Sequence, residues 1–157
     1  MLKGLDQIIR DTHYMEAAIS QAQRAAAMGE VPVGCVIVQD GNMIAEAHNR
    51  RESSQNALSH AEVLAIDAAC RHLGSWRLNE CNLYVTLEPC PMCMGAVINS
   101  RIRSVIYGAA DPKAGCLGSL VDLTQLPFNH KPEVRAGVCE AECAQMLRAF
   151  FEELRGR

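Results

Sequence analysis

The dipeptide Asp40-Gly41 separates "VGCVIV" from "NMIAEA", two runs rich in apolar and β-branched residues. A two-residue Asp-Gly connection is one of the strongest short-range hairpin signals. Both positions accept positive φ, and the turn they form twists with the strands it joins. The chain must therefore carry one antiparallel strand pair. Downstream, strand-like and helical patterns alternate, which predicts an α/β layered domain. The sheet is accordingly expected to be mixed.

Ahead of the hairpin, Met15, Ala18, Ile19, Ala22, Ala25 and Ala26 recur at helical spacing. They predict a helix from about Thr12 to Met28, with Asp11 as its cap and Gly29 as its stop. A polar loop, "NRRESSQNALS", follows the hairpin and leads into "HAEVLAIDAACRHLG", a helix closed by Gly74. "CNLYVTL" then reads as a strand, "PMCMGAVINSR" as a helix with Pro91 in its first turn, and "SVIYGA" as another strand. The stretch from Asp111 to Asn129, rich in Gly, Pro and Asp, reads as mostly loop with one short helix. "CEAECAQMLRAFFEELR" closes the chain as a helix.

A chain of 157 residues without repeats or linkers fits one domain, residues 1–157. No run reaches the ~18 consecutive apolar residues of a membrane span. Charges interrupt the first twenty residues, so they do not read as a secretory signal. A cytoplasmic protein is expected. The net charge of −3 argues against coating nucleic acid through a global field. The charge is nonetheless uneven, −4 over residues 1–94 and +1 over residues 95–157, leaving room for a local basic patch in the second part.

Eight cysteines could suggest a disulfide framework, but their settings oppose it. Cys35 lies in an apolar run and Cys70 follows two alanines on a helix, where a free thiol acts as a small hydrophobe. In a reducing compartment the remaining roles are core, metal or catalysis. Cys139 and Cys143 share one helix face and read as small core residues.

Cys90 and Cys93 differ, because "TLEPCPMC" places them where a strand gives way to a helix. A Cys-x-x-Cys at such a junction is half of a zinc site, and the chain has no second such pair to complete a four-cysteine structural site. His60 is the better complement, since it opens a helix directly after a loop. Both helix starts carry partial positive charge, which favours thiolate over thiol. One nitrogen and two sulfurs leave a fourth position open, as in catalytic zinc sites, where bound water reaches a pKa of ~7.

Glu62 decides between structure and chemistry. A structural site has no use for a carboxylate two residues from a ligand, whereas a hydrolytic one uses it to move protons. Taken singly, His60 or Glu62 would more often be a capping or surface residue. Together with "PCPMC" they make the His-x-Glu…Pro-Cys-x-x-Cys signature of zinc nucleobase deaminases.

Beyond that signature, "GEVPVGCVIV", "HAEVLAID", "LGSWRL", "LYVTLEPCPMCMGAVINSRI", "VIYGAADPKAGCLGSL" and "FNHKPEV" resemble the bacterial tRNA-specific adenosine deaminases over nearly the whole chain. The resemblance implies a cytidine-deaminase-like three-layer α/β/α sandwich with a five-stranded mixed sheet. It also implies a homodimer converting the wobble adenosine of a tRNA anticodon, chiefly that of the arginine tRNA with anticodon ACG, to inosine. By the same resemblance His60, Cys90 and Cys93 bind one Zn2+ per chain, and Glu62 is the proton shuttle. Asn49 and Ala61 would meet the flipped base. Asp111 and Lys113 lie on a loop near the RNA, and Phe150, Phe151 and Arg155 on a tail helix that holds the anticodon stem-loop. Two departures from the family pattern are "NALS" before His60, which bears on Leu58 and Ser59, and Met94 after the second cysteine.

Bland readings stand beside several of these roles. Asn49 could simply end a strand, and Asp111 before Pro112 is an ordinary turn residue. Phe150 and Phe151 point to different sides of a helix, so at least one is expected in the core. Arg155 suits a helix C-terminus without RNA. The competing functions are a deaminase of a free base or nucleoside, guanine foremost, and a non-catalytic RNA-binding partner subunit. Glu62 argues against the second, because such a subunit has no need of the shuttle.

Overall fold

The computed structural model describes residues 2–157. Five strands form one sheet in the order β2-β1-β3-β4-β5, with β1 at Gly34–Gln39, β2 at Asn42–His48, β3 at Cys81–Leu87, β4 at Ser104–Ala109 and β5 at Glu133–Arg135. β1 runs antiparallel to both β2 and β3, while β3, β4 and β5 are mutually parallel neighbours. The sheet is therefore mixed, as the hairpin required. Asp40 and Gly41 both have positive φ, 50° and 77°, the signature of the tight turn that Asp-Gly favours.

Helices cover both faces. α1 (Leu2–Ala27) and α5 (Glu140–Arg155) pack on one side, where Met15, Ala18 and Ile19 meet Val36, Val38, Tyr84 and Ile106. α3 (Ala61–Leu73) and α4 (Pro91–Ser100) pack on the other, where Ala65, Ala69, Val97 and Ile98 meet Cys35, Ile37, Leu83 and Val105. Alternate residues of β1 thus enter opposite cores, which explains why "GCVIV" is apolar without interruption. The result is the expected three-layer α/β/α arrangement. Among the described residues, no helix is long and apolar enough to cross a membrane.

Several expectations need correction. α1 begins at Leu2, not near Thr12, and Asp11 is no cap. Asp11 is buried inside the helix, where its carboxylate accepts from the Tyr84 hydroxyl at 2.9 Å and from Arg135 Nε and Nη2 at 2.6 and 3.0 Å. The polar loop after β2 contains one helical turn, α2 (Arg51–Ser54). The Glu30 carboxylate receives the Glu52 and Ser53 N–H groups there, at 3.0 and 2.8 Å, satisfying donors that a helix start leaves free. The stretch after Asp111 is mostly loop as expected, its short helix being a 3-10 turn at Leu123–Gln125.

Neither phenylalanine of α5 joins a core cluster. Phe150 is half-buried and Phe151 is 39% exposed, because α5 meets the sheet mainly through Cys143, Ala144, Met146 and Leu147. The remaining cysteines behave as small hydrophobes. Cys35 and Cys143 are buried, Cys70 and Cys139 half-buried against the two cores, and all eight thiols are free.

Candidate metal centre and substrate pocket

The centre forms where two helices start at the same end of the sheet. His60 is the residue just before α3 and Cys90 the residue just before α4, both with extended backbone, and Pro91 opens α4. Neither side chain caps its own helix. Both turn toward each other instead, so His60 Nδ1 lies 3.5 Å from Cys90 Sγ and 3.6 Å from Cys93 Sγ. All three donor atoms fall within 4.8 Å of one another, close enough to share one metal ion.

The electrostatics suit such an ion. The Cys93 thiol hydrogen-bonds to Cys90 and, with help from His60, brings the Cys90 pKa down to about 4. Cys93 is pushed strongly upward by the same bond and by its burial, so the pair shares one proton. The hydrogen bond to Cys90 raises His60. One thiolate, one thiol and one imidazole at two positive helix ends make a donor set that a dication completes by displacing the shared proton.

Glu62 sits in the first turn of α3, only 4% exposed. Burial first, and then the neighbouring Cys90 charge, push it up to about 7. A carboxyl group that titrates near neutrality can both take and return a proton.

His60, Cys90 and Glu62 face a cavity of about 160 Å³. Cys93 is fully buried behind it. Ala61 and Asn49 line the cavity as expected, with apolar walls from Val31, Val33 and Leu87. Asn49 also serves the chain itself. Its Nδ2 donates to the Val31 carbonyl at 3.3 Å, and its Oδ1 accepts from Arg51 N–H at 3.1 Å. Asn49 thus lies just after the end of β2 and in the cavity wall.

A larger groove of about 670 Å³ adjoins the cavity, with Val31, Leu87 and Asp111 lining both. Asp111, Lys113, Phe151 and Arg155 all line this groove. Phe150 does not. It lies with Ala26, Ala27 and Gly29 at the far end of α1. Asp111 is also a turn residue, its Oδ1 accepting from the Lys113 and Ala114 N–H groups at 3.0 and 3.3 Å.

The two departures stay clear of the cavity. Leu58 is 58% exposed, Ser59 receives the Ser54 hydroxyl at 2.8 Å, and Met94, on α4, is fully buried in the core. Two residues that sequence reasoning passed over do border the pocket, Arg51 and Glu88. Glu88 had one legible signal, an acidic residue between an apolar strand and Pro89. It is 1% exposed and has no cationic partner among the described residues. Burial works to raise its pKa, but hydrogen bonds from Ser119, Leu117 and Asp111 outweigh it and hold it below the ordinary value.

A profile of the MafB19-like deaminases matches residues 9–155. The chain is 56% identical over 147 residues to a tRNA-specific adenosine deaminase of Bacillus subtilis, covering 93% of this chain and 91% of that one. Its structure matches that of a tRNA:A34 deaminase, an A-to-I editing enzyme of the tRNA wobble position, with a TM-score of 0.84 and 44% identity over 87% of this chain and 99% of the other. A guanine deaminase from Bacillus subtilis matches with a TM-score of 0.61 and 41% identity, but over only 62% of this chain and 63% of its own.

Proposed function

The chain belongs to the tRNA-specific adenosine deaminase family, and from that premise we propose that it deaminates adenosine to inosine at the wobble position of a tRNA anticodon. The observation that carries this reading is that a cavity at the donor trio shares walls with a groove lined by Lys113, Phe151 and Arg155. A free-base enzyme needs the cavity alone. A substrate whose reacting base is attached to a polynucleotide needs both.

Zinc would be held by His60 Nδ1, Cys90 Sγ and Cys93 Sγ. Zn–S and Zn–N bonds of about 2.3 and 2.0 Å at the tetrahedral angle set nitrogen and sulfur about 3.5 Å apart. The observed separations of 3.5 and 3.6 Å fit that edge. Zinc bound there would supply Lewis acidity and a nucleophilic water at neutral pH.

The chain's own residues do the rest. Glu62 accepts a proton from the attacking water and delivers it to the amine leaving C6, so that water and adenosine become inosine and ammonia. Asn49 and the Ala61 backbone border the base, and Val31, Val33 and Leu87 exclude bulk water from its faces. Lys113 and Arg155 meet phosphates flanking it. A base can reach such a pocket only when splayed from its stack, and an anticodon loop is already single-stranded. The arginine tRNA with anticodon ACG is the proposed substrate, and the working form is a cytoplasmic homodimer of single-domain subunits.

The purified protein, incubated separately with an unmodified arginine tRNA, adenosine, cytidine and guanine, tests the reading by product. Inosine from the tRNA is expected. Uridine from cytidine or xanthine from guanine as the main product would replace it with a free-base or nucleoside deaminase.

A further inference from the structure

Glu88 borders the cavity, yet its chemistry differs from that of Glu62. Its Oε1 accepts from the Asp111 N–H at 3.1 Å and from the Ser119 hydroxyl. Its Oε2 accepts from the Leu117 and Ser119 N–H groups at 2.9 and 3.1 Å. Four donors fill the roughly four acceptor sites of a carboxylate, leaving none with which to move a proton. All four come from one loop, residues 111–119, while Glu88 itself sits between β3 and the turn bearing Cys90.

That loop is built around the carboxylate. Gly115 packs so closely that an added Cβ would collide with the Glu88 carboxyl group and come within 2.5 Å of the Asp111 carbonyl. Cys116 N–H bonds to the Pro89 carbonyl at 2.9 Å, a second tie to the same turn. The loop also carries Asp111 and Lys113 into the groove wall.

We propose that Glu88 is a positioning residue that anchors the 111–119 loop to the Cys90 turn, setting Lys113 in register with the phosphates beside the reacting base. This rests on the RNA-substrate reading above. The anchor must be a carboxylate. Glutamine has the same shape but turns an NH2 toward backbone N–H donors, which are then left unpaired in a buried place.

The test measures the Kd of an anticodon stem-loop in a Glu62→Ala background, where turnover is suppressed. Glu88→Gln is expected to weaken binding about tenfold, as loss of charge-assisted bonds to the loop implies. In a Lys113→Ala background that penalty should shrink to about twofold, because both changes act through one loop, whereas with Arg155→Ala on α5 the effects should add. Metal content should stay at the parent's level. Should Glu88→Gln fail to fold, Ser119→Ala carries the same test with an expected weakening of about threefold. A Kd unchanged by the substitution, or a penalty that persists in full beside Lys113→Ala, overturns the proposal alone. A parent that binds no stem-loop overturns the functional reading and this proposal with it.

Discussion

His60 Nδ1 lies 3.5 Å from Cys90 Sγ although 30 positions separate the two residues, because α3 and α4 begin at the same end of the sheet. Nothing local in either segment holds them together. A metal shared by both starts would therefore tie the two helices to each other. Elemental analysis is expected to find one zinc per chain in the wild type and much less after Cys90→Ala or Cys93→Ala. Cys139→Ala, on α5, should keep it. Full zinc in both of the first two variants would refute the ligand assignment.

Glu62→Ala removes the buried carboxylate without touching a donor atom. Turnover is expected to fall by at least about 10²–10⁴-fold, the usual contribution of a general acid–base group, with zinc content and unfolding temperature close to wild type. The check is a single-turnover assay beside metal analysis. Loss of zinc together with activity would instead make Glu62 part of the metal's support.

Lys113 and Arg155 face one groove, while Lys3 lies in the first two turns of α1. Each phosphate contact contributes about 0.7–0.9 to the slope of log affinity against log salt. Lys113→Ala and Arg155→Ala should each lower that slope by roughly this amount for an anticodon stem-loop, and Lys3→Ala should leave it unchanged. Equal slopes in all three variants would remove the groove as the RNA surface.

Glu30 gives a pH dependence. Its burial works to raise the pKa, but the Ser53 N–H and hydroxyl and the Glu52 N–H outweigh that and hold the carboxyl below its ordinary 4.5. A folded pKa below the unfolded one stabilises the fold fully above about pH 4.5, and the stabilisation is lost as pH falls through the folded value. Glu30→Gln should cost about 1–3 kcal/mol at pH 7, and its gap from wild type should close as the pH drops below 4.5. Urea unfolding at pH 7, 5 and 3.5 measures it. A gap that stays constant across the series would contradict the assignment.

What could be read from the sequence was local. Asp40-Gly41 made the hairpin, Pro91 marked the start of α4, and the metal trio stood out by its His-x-Glu…Pro-Cys-x-x-Cys spacing. What could not be read depends on partners distant in the chain. Asp11 resembled a cap because acidic residues before a periodic run usually are caps, yet its partner Arg135 lies 124 positions away. That partner sits on β5, whose three residues, "EVR", carry too little pattern to reveal a strand. One of Phe150 and Phe151 was expected in the core because they point to different sides of α5, but which face of α5 meets the sheet was settled by small residues such as Cys143 and Ala144. Glu30 and Glu88 escaped notice for the same reason, since each is defined by the loop folded round it.

On the proposed function the groove, as well as the cavity, takes part in catalysis. A pocket for one base offers few contacts, so binding energy from flanking nucleotides must help position C6. The decisive measurement compares kcat/KM for adenosine in an anticodon stem-loop with that for free adenosine and free guanine, on the same zinc-loaded preparation. A much larger value is expected for the stem-loop, with kcat as well as KM favouring it. A value for free adenosine or guanine equal to or above that of the stem-loop would contradict it.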